Sequence, residues 1–223
     1  MNRVPRVTID MNDSAAVLET RLAHDVHRAA TTLLAEAADR PAVPLRALAQ
    51  LRDFLVVNLR HHHETEDHDL WPQILAAAPD AAQGLGALTD EHHELDEALD
   101  RLAAVAVAVA DGPGTDEVIR AELHTAAATV RDVVHKHLDH EEPILFPALR
   151  AYISPEAWTD FAQRVIASTP PVAGHLMIGF LDEVGTPAEV QLVLKGLPEP
   201  VHPLLPAMRS QAAEDLRVLR HGS

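Results

Sequence analysis

Two strings in this chain place a histidine four residues ahead of a glutamate: His62-x-x-x-Glu66 and His137-x-x-x-Glu141. Residues four apart on an α-helix stand one above the other on the same face, so an imidazole nitrogen and a carboxylate oxygen can both reach one metal ion. The strings are copies of one unit. His62-x-x-x-Glu66-Asp67-x-x-Leu70-Trp71-Pro72 aligns without a gap with His137-x-x-x-Glu141-Glu142-x-x-Leu145-Phe146-Pro147. Each pair also continues an apolar stripe: Leu48, Leu55 and Leu59 lead to His62, Glu66 and Leu70, and Leu123, Val130 and Val134 lead to His137, Glu141 and Leu145. A histidine and an ionised carboxylate are costly to bury unless they are paired or bind metal. Doing so twice, in register, points to a metal centre inside a helical core.

Two more histidines are expected from the other helices. In His92-His93, His92 leads to Leu95, Leu99 and Leu102 and so lies on a buried stripe, whereas His93 points toward Asp96, Glu97 and solvent. Near the N-terminus His24 and His27 both fit; His27 leads to Ala30 and Leu34 and is preferred. The predicted ligand set is therefore His27, His62, Glu66, His92, His137 and Glu141, with His24, His63, His93 and Asp96 as further candidates for ligation or for backing a ligand. His63 shares its stripe with Arg52, Val56 and Arg60, which reads as a solvated face. His61, His68, His135 and His140 are likewise read as surface residues or as backing for the ligands.

The elements that must position these residues are helices. Helical spacing starts at about Ser14, after a loose tail over residues 1–13, and stops at Asp39-Arg40-Pro41. A second helix starts with Pro44 in its first turn and runs to about Ala78, with a kink expected at Pro72. A third covers roughly Leu85 to Ala110, including the alternating Ala-Val run, before Asp111-Gly112-Pro113-Gly114-Thr115 stops it. A fourth runs from about Asp116 to Tyr152, with interruptions expected at Pro143 and Pro147. Four long helices with short connections imply an all-α, up-down-up-down four-helix bundle over residues 14–152. Residues 153–223 are cut by prolines into short helices, with Ser154-Pro155 and Thr186-Pro187-Ala188-Glu189 as start signals. They read as a helical extension packed on the bundle.

Composition narrows the chemistry. The chain is 47% hydrophobic but only 3% aromatic, so Ala, Leu and Val must fill the core. A net charge of −16 repels phosphate backbones and anionic lipid, which argues against nucleic acid and membrane surfaces as partners. With no cysteine, thiolate zinc sites, iron–sulfur clusters and disulfides are all excluded. The N-terminus lacks an apolar signal-peptide core and no run is long enough to span a bilayer, so a cytoplasmic location is expected.

With these residues in hand, the chain resembles the hemerythrin-like proteins with an HHE cation-binding domain. The order of one His, HxxxE, one His, HxxxE matches His27, His62/Glu66, His92 and His137/Glu141. The strings around His61–Pro72 and His140–Pro147 resemble that family's motifs over about residues 20–150. Glu156-Ala157-Trp158 and Leu197-Pro198-Glu199-Pro200 resemble the C-terminal extension of a group of actinobacterial members.

The resemblance implies two iron ions bridged by the two glutamates and by an oxo, hydroxo or water oxygen (Fe–O–Fe or Fe–OH–Fe). It also implies a small ligand such as dioxygen, peroxide or nitric oxide. Oxygen-carrying members have two histidines four apart on the third helix, where this chain has His92 and Asp96. Their second bridging acid is an aspartate one residue further along, where this chain has Glu141. Both departures point away from simple oxygen carriage, toward sensing or turnover such as peroxide disproportionation.

Imidazole plus carboxylate would also suit manganese or zinc. The competing expectation is therefore an iron-storage, iron-delivery or zinc-stabilised module without redox turnover. A ferritin-like di-iron oxidase ranks below both, because its Glu-x-x-His unit has only Asp90/His93 and Asp132/His135 as counterparts, on polar faces.

Overall fold

A computed structural model of the protein describes residues 13–107 and 115–222. The bundle consists of α1 (Ala15–Ala38), α2 (Leu45–Thr65), a π-helical segment (Glu66–Leu70), α3 (Trp71–Ala77), α4 (Ala82–Ala104) and α5 (Thr115–Tyr152). Each helix hides one apolar stripe. α1 packs on α5 and α2, and α4 packs on α5 and α2, which closes a four-membered ring around Leu22, Leu34, Leu55, Leu59, Leu99, Leu123 and Val134. No strand occurs among the described residues, and none of their helices is long and apolar enough to cross a membrane.

The proline expectations resolve differently in the two copies. The second helix does not break at Pro72. Just before it, the chain widens into the π segment, closed by the Trp71 N–H on the Glu66 carbonyl. Proline has no N–H to donate and its ring crowds the preceding turn, and an extra residue in that turn accommodates both effects. α5, by contrast, runs unbroken through Pro143 and Pro147. Both are exposed, so the backbone groups they leave without helical partners lie on the solvent side.

Pro44 caps α2 from outside rather than occupying its first turn. α4 ends at Ala104, earlier than the Ala-Val run suggested. Val105 turns extended and its carbonyl accepts from Arg52, while Val105 and Val107 are buried. β-branched valines have little intrinsic reason to stay helical once tertiary contacts offer an alternative. The tail over residues 1–12, residues 108–110 and the Asp111–Gly114 break lie outside the described residues.

Beyond the bundle lie α6 (Pro155–Ser168), α7 (Gly174–Val184), α8 (Pro187–Lys195) and α9 (Leu205–His221). Ser154 caps α6, and Thr186 with Glu189 forms the expected capping box on α8. The extension shares the bundle's core: Leu176, Phe180, Leu181 and Leu216 pack with α1 and α2, and Phe180 stacks on Phe54 at 6.1 Å. Gly179 lets α7 and α9 cross closely, since a Cβ there would sit 2.7 Å from that of Ala212. Arg21 of α1 holds Glu189 at 2.6 Å, so α8 is pinned to the first bundle helix.

Candidate metal centre

The bundle helices bring two groups of ligand-capable side chains into its interior. His24 (α1), His62 (α2), Glu66 (π segment) and Glu141 (α5) form one. His63 (α2), His92 (α4) and His137 (α5) form the other. Within each, one ligand atom per residue lies within 4.8 Å of all the rest. The two carboxylates link the groups. Glu66 Oε1 lies 3.4 Å from His62 Nε2 and its Oε2 3.6 Å from His92 Nε2. Glu141 Oε2 lies 3.5 Å from His24 Nε2 and 3.4 Å from His137 Nε2.

These separations are long for hydrogen bonds. They match the spacing of two ligands on one ion: bonds of roughly 2.1 Å at angles of about 90–120° put donor atoms about 3.0–3.6 Å apart. The Nε2 atoms of His24, His62, His92 and His137, both nitrogens of His63 and all four carboxylate oxygens are buried without a hydrogen-bond partner. Orphaned polar atoms of this kind are rare in folded proteins, and concentrating them in one place is costly unless an ion satisfies them. The residues present fit a metal centre.

Three of the histidines are aimed by carboxylates on their far side. His92 Nδ1 donates to Asp67 at 2.9 Å, and Thr89 holds the other Asp67 oxygen at 2.7 Å. His24 Nδ1 donates to Glu142 at 3.1 Å, and Arg28 holds the same oxygen at 2.5 Å. His137 Nδ1 donates to Glu91 at 2.9 Å; the other Glu91 oxygen accepts from the exposed His140 at 2.8 Å. With Nδ1 protonated, each Nε2 presents its lone pair inward, which is the arrangement a metal ligand requires.

Burial depresses His27, to about 3, and depresses His62 and His63 as well, with neighbouring histidines adding to the effect; all three are neutral near pH 7. Burial, then the adjacent Glu141 charge, pushes Glu66 well above the usual carboxylate range. Burial would also raise Glu141, but His24 and His137 outweigh it and hold that carboxyl low. While no cation separates them, the two carboxyls are thus shifted in opposite directions.

His62, Glu66, His92, His137 and Glu141 all stand at the centre. On α1 the structure places His24, the second choice, in the ligand group. His27 is buried beside His62, with ring centroids 4.8 Å apart, but is in neither group. Both residues lie on the buried side of α1, and it is Glu142, from a helix distant in sequence, that orients His24.

The expectation of a solvated His63 is overturned, since it is only 3% exposed and stacks on His92 at 4.3 Å. The polar-looking stripe was misleading because Arg60 reaches Asp100 and Arg52 the Val105 carbonyl, so their stems cover the α2–α4 seam. His93 is exposed and outside both groups. Asp96 has one buried, unpartnered oxygen but joins neither group. His61 bonds Ser168, His68 its own helix carbonyl at Glu64, and His135 Thr32 and the Arg28 carbonyl. Sequence reasoning missed Glu91 as an orienting acid. It also missed the roles of Asp67 and Glu142, although both follow a core glutamate directly in the repeat.

The family model for the hemerythrin HHE cation binding domain matches residues 18–149, the span from α1 through α5. Among curated proteins and solved structures, nothing matches the chain.

Proposed function

Because the chain belongs to the hemerythrin HHE cation-binding family, we propose that its centre holds two iron ions and binds, senses or turns over a small oxidant. The observation that carries this reading is the set of buried, unpartnered nitrogen and carboxylate atoms that converge from all four bundle helices. His24 and His62 would serve one ion, His63, His92 and His137 the other, with Glu66 and Glu141 shared between them. Iron bound there supplies redox chemistry toward dioxygen, peroxide or nitric oxide.

The chain's own residues do the rest. Asp67, Glu142 and Glu91 keep three imidazoles in the metal-binding tautomer. The surrounding leucines and valines exclude bulk water. Glu66 gives up its proton as cations enter, so loading releases protons. His63 gives the second group three imidazoles against two in the first, and His27, buried beside His62 with an unpartnered Nδ1, lies next to the first. Imidazole with carboxylate suits iron or manganese and, by affinity alone, would accept zinc.

The test is metal analysis of the purified full chain with an absorption spectrum before and after peroxide. Two irons per chain and a near-ultraviolet band that shifts on addition support the reading. Stoichiometric zinc with no band overturns it in favour of a structural or storage role.

A further inference from the structure

A cavity of about 370 Å³ runs from the surface to His62 and Glu66, between α1, α2 and the extension helices α6 and α8. Its outer wall is supplied by the extension: Trp158, Phe161, Val165 and Ile166 from α6, and Leu192 and Val193 from α8. Leu192, 41% exposed, is one of few large apolar side chains left in solvent among the described residues. The volume is an order of magnitude above the roughly 30 Å³ share of one water. It falls within the range of about 300–1,000 Å³ typical of small-molecule sites. A diatomic gas or hydrogen peroxide needs nothing of this size or this apolar wall.

The walls are apolar and the inner end is not. There the lining is Glu66, His62, Thr20 and Thr65. Glu19 also lines it, held by the Trp158 indole N–H at 2.9 Å. No Lys or Arg among the described residues lines it. With no Lys or Arg in the wall, a carboxylate or phosphate head is disfavoured in the metal-free protein, and an uncharged O–H head, which can donate to and accept from the threonine hydroxyls, is favoured.

We propose that this cavity binds an uncharged organic amphiphile, an alkyl or aryl body ending in a hydroxyl or hydroperoxyl group, with its oxygen end at His62 and Glu66. The inference rests on the metal-centre reading for its consequence, because it makes the molecule delivered to the centre organic rather than a dissolved gas. The extension is then a wall of the substrate site, not merely packing on the bundle.

Calorimetric titration of the full chain, metal-loaded and metal-free, with octan-1-ol, octyl hydroperoxide and octanoate tests it. The alcohol or the hydroperoxide is expected to bind one per chain, with octanoate weaker by about tenfold or more in the metal-free protein. The tighter of the first two names the natural head group. Ala162→Trp fills the cavity and should weaken binding about tenfold. Leu192→Asp, at an exposed position that does not challenge folding, should weaken it by about threefold. Octanol affinity unchanged in both variants, or octanoate binding the metal-free protein as tightly as octanol, overturns the proposal. Metal content measured on the same samples separates the two readings. A metal-loaded protein that ignores all three probes sinks this inference alone; a protein that binds octanol but no iron sinks only the metal assignment.

Discussion

The two copies of the repeat do the same four jobs by different backbone means. In each, the histidine and glutamate face the interior, the acid after the glutamate reaches a histidine on a neighbouring helix, and the aromatic stacks on that same histidine. In the first copy Asp67 holds His92 and Trp71 stacks on it, with centroids 6.2 Å apart. In the second, Glu142 holds His24 and Phe146 stacks on it at 6.0 Å. The first copy passes through a π turn and the second stays α-helical throughout. The residue after the leading histidine differs as well: His63 in one copy, the buried apolar Leu138 in the other. The lesson is that the repeat encodes a half-centre, comprising one ligand pair and the support for a ligand elsewhere, and that two half-centres interlock across the bundle.

The largest expected effect tests whether the half-centres are interdependent. Because each glutamate touches histidines of both groups, Glu66→Ala and Glu141→Ala should each reduce bound metal from two ions to one or none per chain, as read by mass spectrometry. Loss of only one ion's worth of affinity in one variant, with the other silent, would break the proposed equivalence. Next comes the position where the copies differ. His63→Leu gives the first copy the second copy's side-chain character, and should weaken retention of one ion by about 10–100-fold while sparing the other. Unchanged retention of both ions against a chelator would show His63 to be core packing only.

The two glutamates also differ electrostatically, and the metal-free protein exposes the sign. Glu66 is raised in the folded state, so its ionisation in the unfolded chain costs stability as pH rises above about 4.5. Glu66→Gln should therefore stabilise the metal-free protein at pH 7, with the gain vanishing as pH falls toward 4.5. Glu141 is lowered, so its charge contributes stability above about 4.5 that disappears as acid protonates it; Glu141→Gln should destabilise at pH 7. Denaturant unfolding at pH 7 and pH 5 reads both, and shifts of the same sign would contradict the opposed shifts of the two carboxyls. His27, held to about 3, adds a loss of stability on acidification below about 6.5, where the unfolded chain takes up a proton the folded chain refuses.

What was legible in the sequence was whatever a single helix decides for itself. The inward phase of His62, Glu66, His92, His137 and Glu141 follows from stripes internal to α2, α4 and α5. The capping box at Thr186 and the Ser154 cap are equally local. What was illegible depended on a second helix. His24 is the histidine that Glu142 on α5 orients, and His63 is buried against His92 of α4. The π segment was half-visible, since Pro72 announced a disturbance but not whether the helix would bend or widen. Helix period cannot show Glu91, whose role is set by its position across from His137 and His140.

Smaller effects sharpen the matched parts. Asp67→Asn and Glu142→Gln should each lower metal affinity about 10–100-fold, because an amide no longer fixes the tautomer of the histidine it faces. Matching losses in the two variants support the interlocked pair, and a loss confined to one copy would mean the other acid serves only packing or Arg28.

The aromatics should matter least and still respond in parallel. An aromatic contact contributes about 0.5–1.5 kcal/mol beyond area burial, so Trp71→Leu and Phe146→Leu should reduce affinity by about tenfold or less. Trp71 is 3% exposed and its indole nitrogen has no partner, whereas Phe146 is only half-buried. The π turn therefore brings the first copy's aromatic further inward than the unbroken helix brings the second's. That difference predicts an order: the Trp71 variant should cost more folding stability in denaturant titration, while the two affinity losses stay within a few-fold of each other. If the Phe146 variant loses more stability, the π turn is not what seats the aromatic. If only the Trp71 variant loses metal affinity, stacking on His24 contributes nothing to its ligation.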